Sequence, residues 1–465
     1  MKAKLSFTVL QTILLVLICA GGSHAQDALV TKVDSFVDAE MQKGKIPGVS
    51  IAVIKNGKPV LVKGYGFSNV EHQVAVKPET IFQSGSVGKQ FTAMAVMLLV
   101  DEGKIDLDEK ISKYLGTVPE SWKDITVRHL LTHTGGMTDY TQDFNLWQDY
   151  TEDELLKKAQ AVPTAFAPGE RWQYSNLGYL TLGVMIHKVS GKFYGDYLQE
   201  RVFKPLGMTT ARVISEADII PNRAMGYRLE NGELKHQTWV APQFNTTADG
   251  ALYLTVLDMI KWDEALTQGK LIKKESYDQM WTPAKLNSGR ATNYGFGWML
   301  DETANGRKVI EHGGAWQGFK SHISRYPNDK LTVIVFANLA QTNQSRLARG
   351  IAEIVEPSLI PKPIKDPDPQ VTAMLLDQLK KMSAGKPDLD LFTSEMQKII
   401  SGPQDRFTAF IKSLGEIKKF ELVARKVTAA DVSYRYRIEF TTETAYMNVV
   451  KGKDGKIASL GFQPA

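Results

Sequence analysis

An α+β fold, an antiparallel sheet interrupted and flanked by helices, is predicted by three features of this 465-residue chain. A hairpin pattern stands near its start, a helix apolar on every side follows, and strand patterns return only after residue 290. Strands at both ends of a helical middle imply one sheet completed by segments far apart in sequence.

The chain opens with "MKAKLSFTVLQTILLVLICAGGSHAQ": two lysines, an apolar stretch, then Ser23-His24-Ala25, with small residues at the two positions a signal peptidase reads. Residues 1–25 read as a signal peptide cleaved after Ala25, which makes the protein exported, periplasmic or secreted. A retained membrane anchor is the competing reading, but the apolar core falls short of the roughly 20 residues a spanning helix needs. Bulky Ile18 ahead of Cys19 argues against lipid attachment. Cys19 is the one cysteine, so the mature chain has no disulfide, thiolate or Cys-based metal chemistry.

In "IPGVSIAVIKNGKPVLVKGYGFSNV", strands Val49 to Ile54 and Pro59 to Gly66 meet at Asn56-Gly57, a dipeptide favoured in tight hairpins. The apolar helix runs from about 86 to 100 and ends at "DEGK", too early to span a membrane, so it belongs to the core. Residues 105 to 260 read as a helical, loop-rich lobe. Strands return at "YGFGWML", "KVIEHGGAWQGFKSHISRYP" and "KLTVIVFANL", followed by the helical "QSRLARGIAEIVE". The stretch "PSLIPKPIKDPDPQ" holds five of the nineteen prolines and reads as a stiff linker. Beyond it, "VTAMLLDQLKKM" and "LDLFTSEMQKII" are amphipathic helices, and "VSYRYRIEF" alternates as a strand.

A 43% hydrophobic composition supports a large core and excludes disorder. The net charge of +5 falls to +3 when Lys2 and Lys4 leave with the leader, and no polybasic block suggests nucleic acid.

Three segments carry candidate chemistry. Ser86-Val87-Gly88-Lys89 opens the apolar helix, and residues three apart share a helix face, so the Lys89 amine lies within reach of the Ser86 hydroxyl. Positive potential at the helix N-terminus and desolvation, which favours the neutral amine, make a nucleophile and its base. The plainer reading is a capping serine and an exposed lysine. Against it, a lysine one turn into a core helix needs a reason to be there. A second such tetrad, Ser383 to Lys386, runs into Pro387 and reads as a loop.

Tyr174-Ser175-Asn176 precedes a helical segment, where a phenol suited to proton transfer and a substrate-binding amide point into one cleft. The tripeptides at Tyr326 and Tyr446 read as a hairpin turn and a strand. His312-Gly313-Gly314-Ala315 places paired glycines in a strand, where they weaken pairing unless something must approach the backbone. Functionally, His312 supplies a polar or cationic group, and an N–H after the glycines joins that of Ser86 in an oxyanion hole. The alternative is a bulged strand with a buried histidine. His129 and His133 are four apart, but Leu130 stands where a metalloprotease has glutamate, so they read as structural.

Taken in order, Ser86-x-x-Lys89, Tyr174-x-Asn176 and His312-x-Gly314 resemble the three motifs of the class C beta-lactamase-like serine hydrolases. That family includes beta-lactamases, D-alanyl-D-alanine carboxypeptidases, D-aminopeptidases and family VIII carboxylesterases. "ITVRHLLTHTGGM", "PGERWQYSNLGYLTLG", "FKPLGMTTAR" and "YGFGW" look like its landmarks, and the likeness covers residues 28 to 355. It implies a beta-lactamase/transpeptidase-like fold with a helical lobe inserted between the halves of the sheet. It also implies Ser86 as acylated nucleophile, Lys89 and Tyr174 as proton-transfer partners, Asn176 and His312 as substrate-binding groups, and an oxyanion hole at the N–H groups of Ser86 and Ala315 beside Gly314. His133-Thr134-Gly135 fits the third pattern too, but precedes the second and stays outside the set.

One position departs: beta-lactamases of this class usually have lysine where this chain has His312. A histidine, largely neutral near its ordinary pKa of about 6.5, is poorly suited to the carboxylate of a penicillin. The chain therefore reads as a signal peptide (1–25), a serine hydrolase domain (26–356), a Pro-rich linker (357–370) and a small α+β domain (371–465), similar in layout to cystatin-like or nuclear-transport-factor-like domains. Substrate gating, dimer contact or envelope binding are the roles open to that last domain. The expected activity is an acyl transfer to Ser86 from a D-amino-acid peptide or carboxylic ester, followed by water. A weak beta-lactamase and a non-catalytic binder of cell-wall fragments are the alternatives. The expected partner is a small-molecule or peptide substrate, with no cofactor, metal or nucleic acid and no membrane span after cleavage; no motif sets the oligomeric state.

Overall fold

In the computed structural model of the protein, which describes residues 26–141, 144–303, 305–401 and 406–464, the first hairpin turns at Asn56-Gly57. Both residues take positive φ, 53° and 74°, as the tight turn requires, joining β1 (Gly48–Lys55) to β2 (Lys58–Asn69). The expected signal peptide lies outside the described residues. The chain forms two units, one running to Asp301 and resuming at Lys308–Glu356, the other made of Glu302–Arg307 and the residues from Pro357 onward.

The sheet of the first unit is closed by the end of that unit. β1 pairs antiparallel with a strand almost three hundred residues away, Val49 opposite Ala337 and Lys55 opposite Leu331. With β3 (Val74–Ala75), β4 (Met299–Glu302), β5 (Lys308–Trp316), β6 (Phe319–Tyr326) and β7 (Leu331–Ala337), the order across the seven strands is β3-β2-β1-β7-β6-β5-β4. The strand expected over 294–300 starts only at Met299, because Gly297 turns the chain with φ 77°, so that Tyr294 and Trp298 enter the core from a loop.

One face of the sheet carries α1 (residues 26–44) and, from the far end of the unit, Gln344–Val355. Gly350 permits their close approach, since a Cβ there would lie 2.2 Å from the Phe36 ring. Arg346 and Glu40 pair across them at 2.8 Å.

The other face packs on α2 (Lys89–Asp101), of whose 13 residues 11 are buried. Ala52, Ile54, Ile310, Ile323, Ile334 and Phe336 of the sheet share one apolar cluster with it. Phe91 stacks 4.3 Å from Trp262, whose indole N–H donates to Gln90 at 2.9 Å. The helix expected from residue 86 thus begins at Lys89, and Gly85–Gly88 form a 3₁₀ turn ahead of it. The helical lobe supplies α3 (Asn176–Ser190), capped by the Ser175 hydroxyl, which accepts from Gly178 N–H at 3.1 Å.

The second unit has its own apolar core beneath a four-stranded antiparallel meander, Ile417–Val427, Asp431–Phe440, Thr444–Gly452 and Ile457–Pro464 in sequential order. Helix Pro369–Ser383 precedes it. The Pro-rich stretch opens with a 3₁₀ turn at Pro357–Leu359 and is otherwise irregular up to that helix, and its Ile364 N–H donates to the Leu422 carbonyl at 2.9 Å. Ser383 is the last residue of that helix and Lys386 sits in the turn after it.

Candidate active site

Ser86 lies on the 3₁₀ turn and is partly open to solvent, while Lys89 one turn later is fully buried. Lys89 Nζ is 3.1 Å from Ser86 Oγ and 2.6 Å from Asn176 Oδ1, and it donates to the backbone carbonyl of Asp249. Three acceptors therefore surround it, one for each donor of an ammonium. Two of them, Asn176 Oδ1 and the Asp249 carbonyl, can only accept, while the Ser86 hydroxyl can also donate its proton to the uncharged amine. Ser86 does not cap a helix: the N-cap of the turn is Ser84, whose hydroxyl makes no cap, and that of α2 is Gly88.

The turn is clamped by backbone. A Cβ on Gly314 would lie 2.1 Å from the Ser84 carbonyl oxygen and 3.0 Å from Ser86 N, so only glycine lets β5 come this close. The Ser321 hydroxyl of β6 donates to the same Ser84 carbonyl. Gly85, with φ 49°, faces Ala315 N, and its Cβ would stand 2.5 Å away. Two amides, of Ser86 and Ala315, are thereby brought to one edge of the cleft, the arrangement an oxyanion hole needs. The pairing of β5 with β6 runs without a register shift from Ile310 to Trp316, so the glycines serve this approach and not a bulge.

Tyr174 stands over the lysine, its ring centroid 4.9 Å from Lys89 Nζ, and its hydroxyl is buried without a hydrogen-bond partner. Its ring lies 4.3 Å from that of His133 and 6.2 Å from that of His312.

His312 is buried and has both ring nitrogens engaged. Nδ1 is 2.7 Å from the Gly313 carbonyl, which can only accept, so Nδ1 carries the proton and Nε2 accepts from the Tyr294 hydroxyl at 2.9 Å. Burial, and then the Lys89 charge, push His312 down to about 3. It is neutral at physiological pH and does not line the cleft, which leaves no place for the cationic form of its expected role.

Gly85, Ser86, Asn176, Gly250, Ala315 and an aromatic wall of Tyr140, Phe244 and Trp316 line a small, open cleft over the serine. His129 caps its own short helix, Nδ1 accepting from Thr126 N–H at 3.2 Å. Among the described residues no group of three His, Cys, Asp or Glu is placed to hold a metal.

Residues 33–355 match the family model described as Beta-lactamase, about seven-tenths of the chain. This protein belongs to the beta-lactamase family. The fold is that of the family's serine hydrolases, extended by the C-terminal antiparallel sheet. Penicillin-binding protein 4* of Bacillus subtilis is 28% identical over 70% of this chain and 75% of its own length. Among solved structures, the octameric penicillin-binding protein homologue from Pyrococcus abyssi is 27% identical with a TM-score of 0.65, over 94% of this chain and 96% of that one. The D-amino acid amidase of Ochrobactrum anthropi SV3, solved with L-phenylalanine amide, is 25% identical with a TM-score of 0.61, over 70% and 96%.

Within this beta-lactamase-family site, sequence reasoning missed the residues that come from the inserted lobe. Asp249 holds Lys89 through its carbonyl, and its Oδ2 accepts from the Tyr140 hydroxyl at 3.1 Å. Burial, and then Asp249, keep the Tyr140 phenol well above the usual range, so it stays a donor. Both oxygens of Asp139 accept from Asn176 Nδ2, at 3.2 and 3.1 Å, which turns Asn176 Oδ1 toward Lys89. His133, set aside above, lies beneath Tyr174 and accepts from Ser175 N–H at 3.2 Å. Gly250 beside Asp249 has its Cβ position 2.4 Å from the Gly85 carbonyl oxygen, a packing that no local pattern in the sequence announces.

Proposed function

We propose that this chain is an exported serine hydrolase that cleaves an ester or amide through an acyl-enzyme on Ser86. The observation that carries this reading is the Ser86 hydroxyl 3.1 Å from a fully buried lysine, with an unpartnered phenol beside them. A buried lysine demands compensation, and here its partners are the would-be nucleophile, the Asn176 amide and a backbone carbonyl.

In the reaction, Oγ attacks the substrate carbonyl carbon while its proton passes to the Lys89–Tyr174 pair, where the uncharged Lys89 amine accepts it. The carbonyl oxygen gathers negative charge against the N–H groups of Ser86 and Ala315. Collapse breaks the bond to the leaving alcohol or amine, which departs with the proton from the same pair. Water then attacks the ester on Oγ by the reverse path, releasing the acid and restoring the serine. Asn176 fixes Lys89 and offers its amide to the substrate, and His312 stays a neutral group packed beside Tyr174.

A D-amino-acid peptide or carboxylic ester is the favoured substrate class over a penicillin or cephalosporin. Supporting this, none of the cleft-lining residues is cationic and His312 is held neutral, so a lactam carboxylate has no cationic partner in the wall. The relatives' names, a penicillin-binding protein and a D-amino acid amidase, agree with amide substrates. We further propose export through residues 1–25; among the described residues no helix is long and apolar enough to cross a membrane.

The test is hydrolysis of p-nitrophenyl acetate and nitrocefin by the wild type, Ser86→Ala and Lys89→Met. The reading expects ester turnover in the wild type, its loss in both variants, and little nitrocefin cleavage. Ester turnover surviving in Ser86→Ala contradicts it.

A further inference from the structure

Of the side chains lining the cleft over Ser86, Asp249 is the charged one. It is placed with little freedom. Its carbonyl binds Lys89, which fixes the residue beside the nucleophile, and its Oδ2 is held by Tyr140 at 3.1 Å. Tyr140 is itself packed edge-on against Phe144 and Phe244, with centroids 5.1 and 5.5 Å apart. Asp249 Oδ1 takes no hydrogen bond from a described residue. A second carboxylate, Asp139, stands directly behind Asn176.

The lysine beside the nucleophile is already used. Lys89 is fully enclosed, with its three acceptors on Ser86, Asn176 and Asp249. A carboxylate-bearing substrate would meet Asp249 without a lysine or arginine in the cleft wall to offset it. A substrate carrying an ammonium finds a fixed acceptor of opposite charge, and beside it the aromatic wall of Tyr140, Phe244 and Trp316 for an apolar group.

We infer that Asp249 is the specificity-determining residue of this cleft, selecting α-amino amides and α-amino esters with an apolar side chain over isosteres that lack the amine. The inference rests on the reading of Ser86 as the acylated nucleophile. The ammonium pairs with the Asp249 carboxylate, and the side chain lies on the aromatic wall. The carbonyl between them then faces Ser86 Oγ and the two amides.

The test compares hydrolysis of phenylalanine amide and methyl ester, each enantiomer, with 3-phenylpropionamide and methyl 3-phenylpropionate, at a pH where the amine is charged. Full-length wild type and Asp249→Asn are both used, and the readout is the ratio of kcat/KM for amino over des-amino substrate, which is independent of the fraction of folded enzyme. The wild type should prefer the amino substrate. Asp249→Asn should lower the ratio by about tenfold or more, the value of one charge-assisted hydrogen bond. Wild-type preference for the des-amino substrate overturns the inference, and so does a ratio that Asp249→Asn changes by less than about twofold. Failure of the wild type to hydrolyse any of the six substrates overturns it as well. Labelling by a neutral fluorophosphonate, run in parallel, separates the two levels. Label on Ser86 without amino preference sinks this inference alone, whereas absence of label on Ser86 sinks the hydrolase reading with it.

Discussion

Replacing Tyr174 with phenylalanine should separate activity from stability, because the two depend on different parts of the side chain. The ring does the packing, 4.3 Å from His133 and 4.9 Å from Lys89 Nζ, and phenylalanine keeps those contacts. The hydroxyl is buried and unpartnered, so its removal relieves a desolvation cost of about 1–3 kcal/mol and leaves no partner orphaned. Stability should therefore hold or rise by about 1 kcal/mol, whereas loss of the proton-transfer group should lower kcat by about 10²- to 10⁴-fold. Urea unfolding followed by fluorescence gives the first quantity and ester hydrolysis the second. Activity within about threefold of wild type would refute the role given to the phenol, and a destabilisation above about 1 kcal/mol would refute its being unpartnered.

Gly314→Ala puts a Cβ 2.1 Å from the Ser84 carbonyl oxygen, so the turn and β5 must part by about 1 Å and kcat should fall about 100-fold; unchanged turnover would show that the close approach does not shape the oxyanion hole. Asp263 Oδ1 accepts from Arg325 Nε at 2.7 Å and from the Thr332 hydroxyl at 2.9 Å, and both charged side chains are buried. Asp263→Ala should cost about 3–5 kcal/mol in urea unfolding, and a cost under about 1 kcal/mol would contradict the burial of that pair. His312 is pushed down to about 3 and His133 well below its ordinary value, in both cases by burial first and then by Lys89. The unfolded chain protonates both below a pH of about 6.5, so their contribution is complete above that pH and is lost as pH falls, at about 1.4 kcal/mol per unit for each. Urea midpoints between about pH 7 and 5 should fall less steeply in His312→Gln, and an unchanged slope would mean His312 takes up its proton in the folded state.

The parts of this molecule that were legible in its sequence are those whose signal is local. Asn56-Gly57 marks its own hairpin, and the run from Phe91 to Leu99 has no polar face, so its helix must be central. Ser86 and Lys89 were readable because the pair and the burial of the helix behind it lie in one segment. The turn before Lys89 was not, because its 3₁₀ path follows from Gly85 and Gly314 packing across two hundred residues. Asp249, Tyr140 and Asp139 escaped for the same reason. Each sits in an irregular stretch of the inserted lobe, and only the folded lobe brings them to Asn176 and Lys89. His312 was found and its choice between a polar and a cationic group left open, since the spacing of His-Gly-Gly carries no information about Tyr294, Lys89 and the burial that hold it neutral.

The central claim, that Ser86 becomes acylated, is tested most directly by peptide mass mapping of the intact protein quenched during turnover of a slow ester. The account predicts one acyl group, on the peptide that contains Ser86, absent from Ser86→Ala and reduced in Lys89→Met. An acyl group on another residue, or ester turnover that persists in Ser86→Ala, would contradict it.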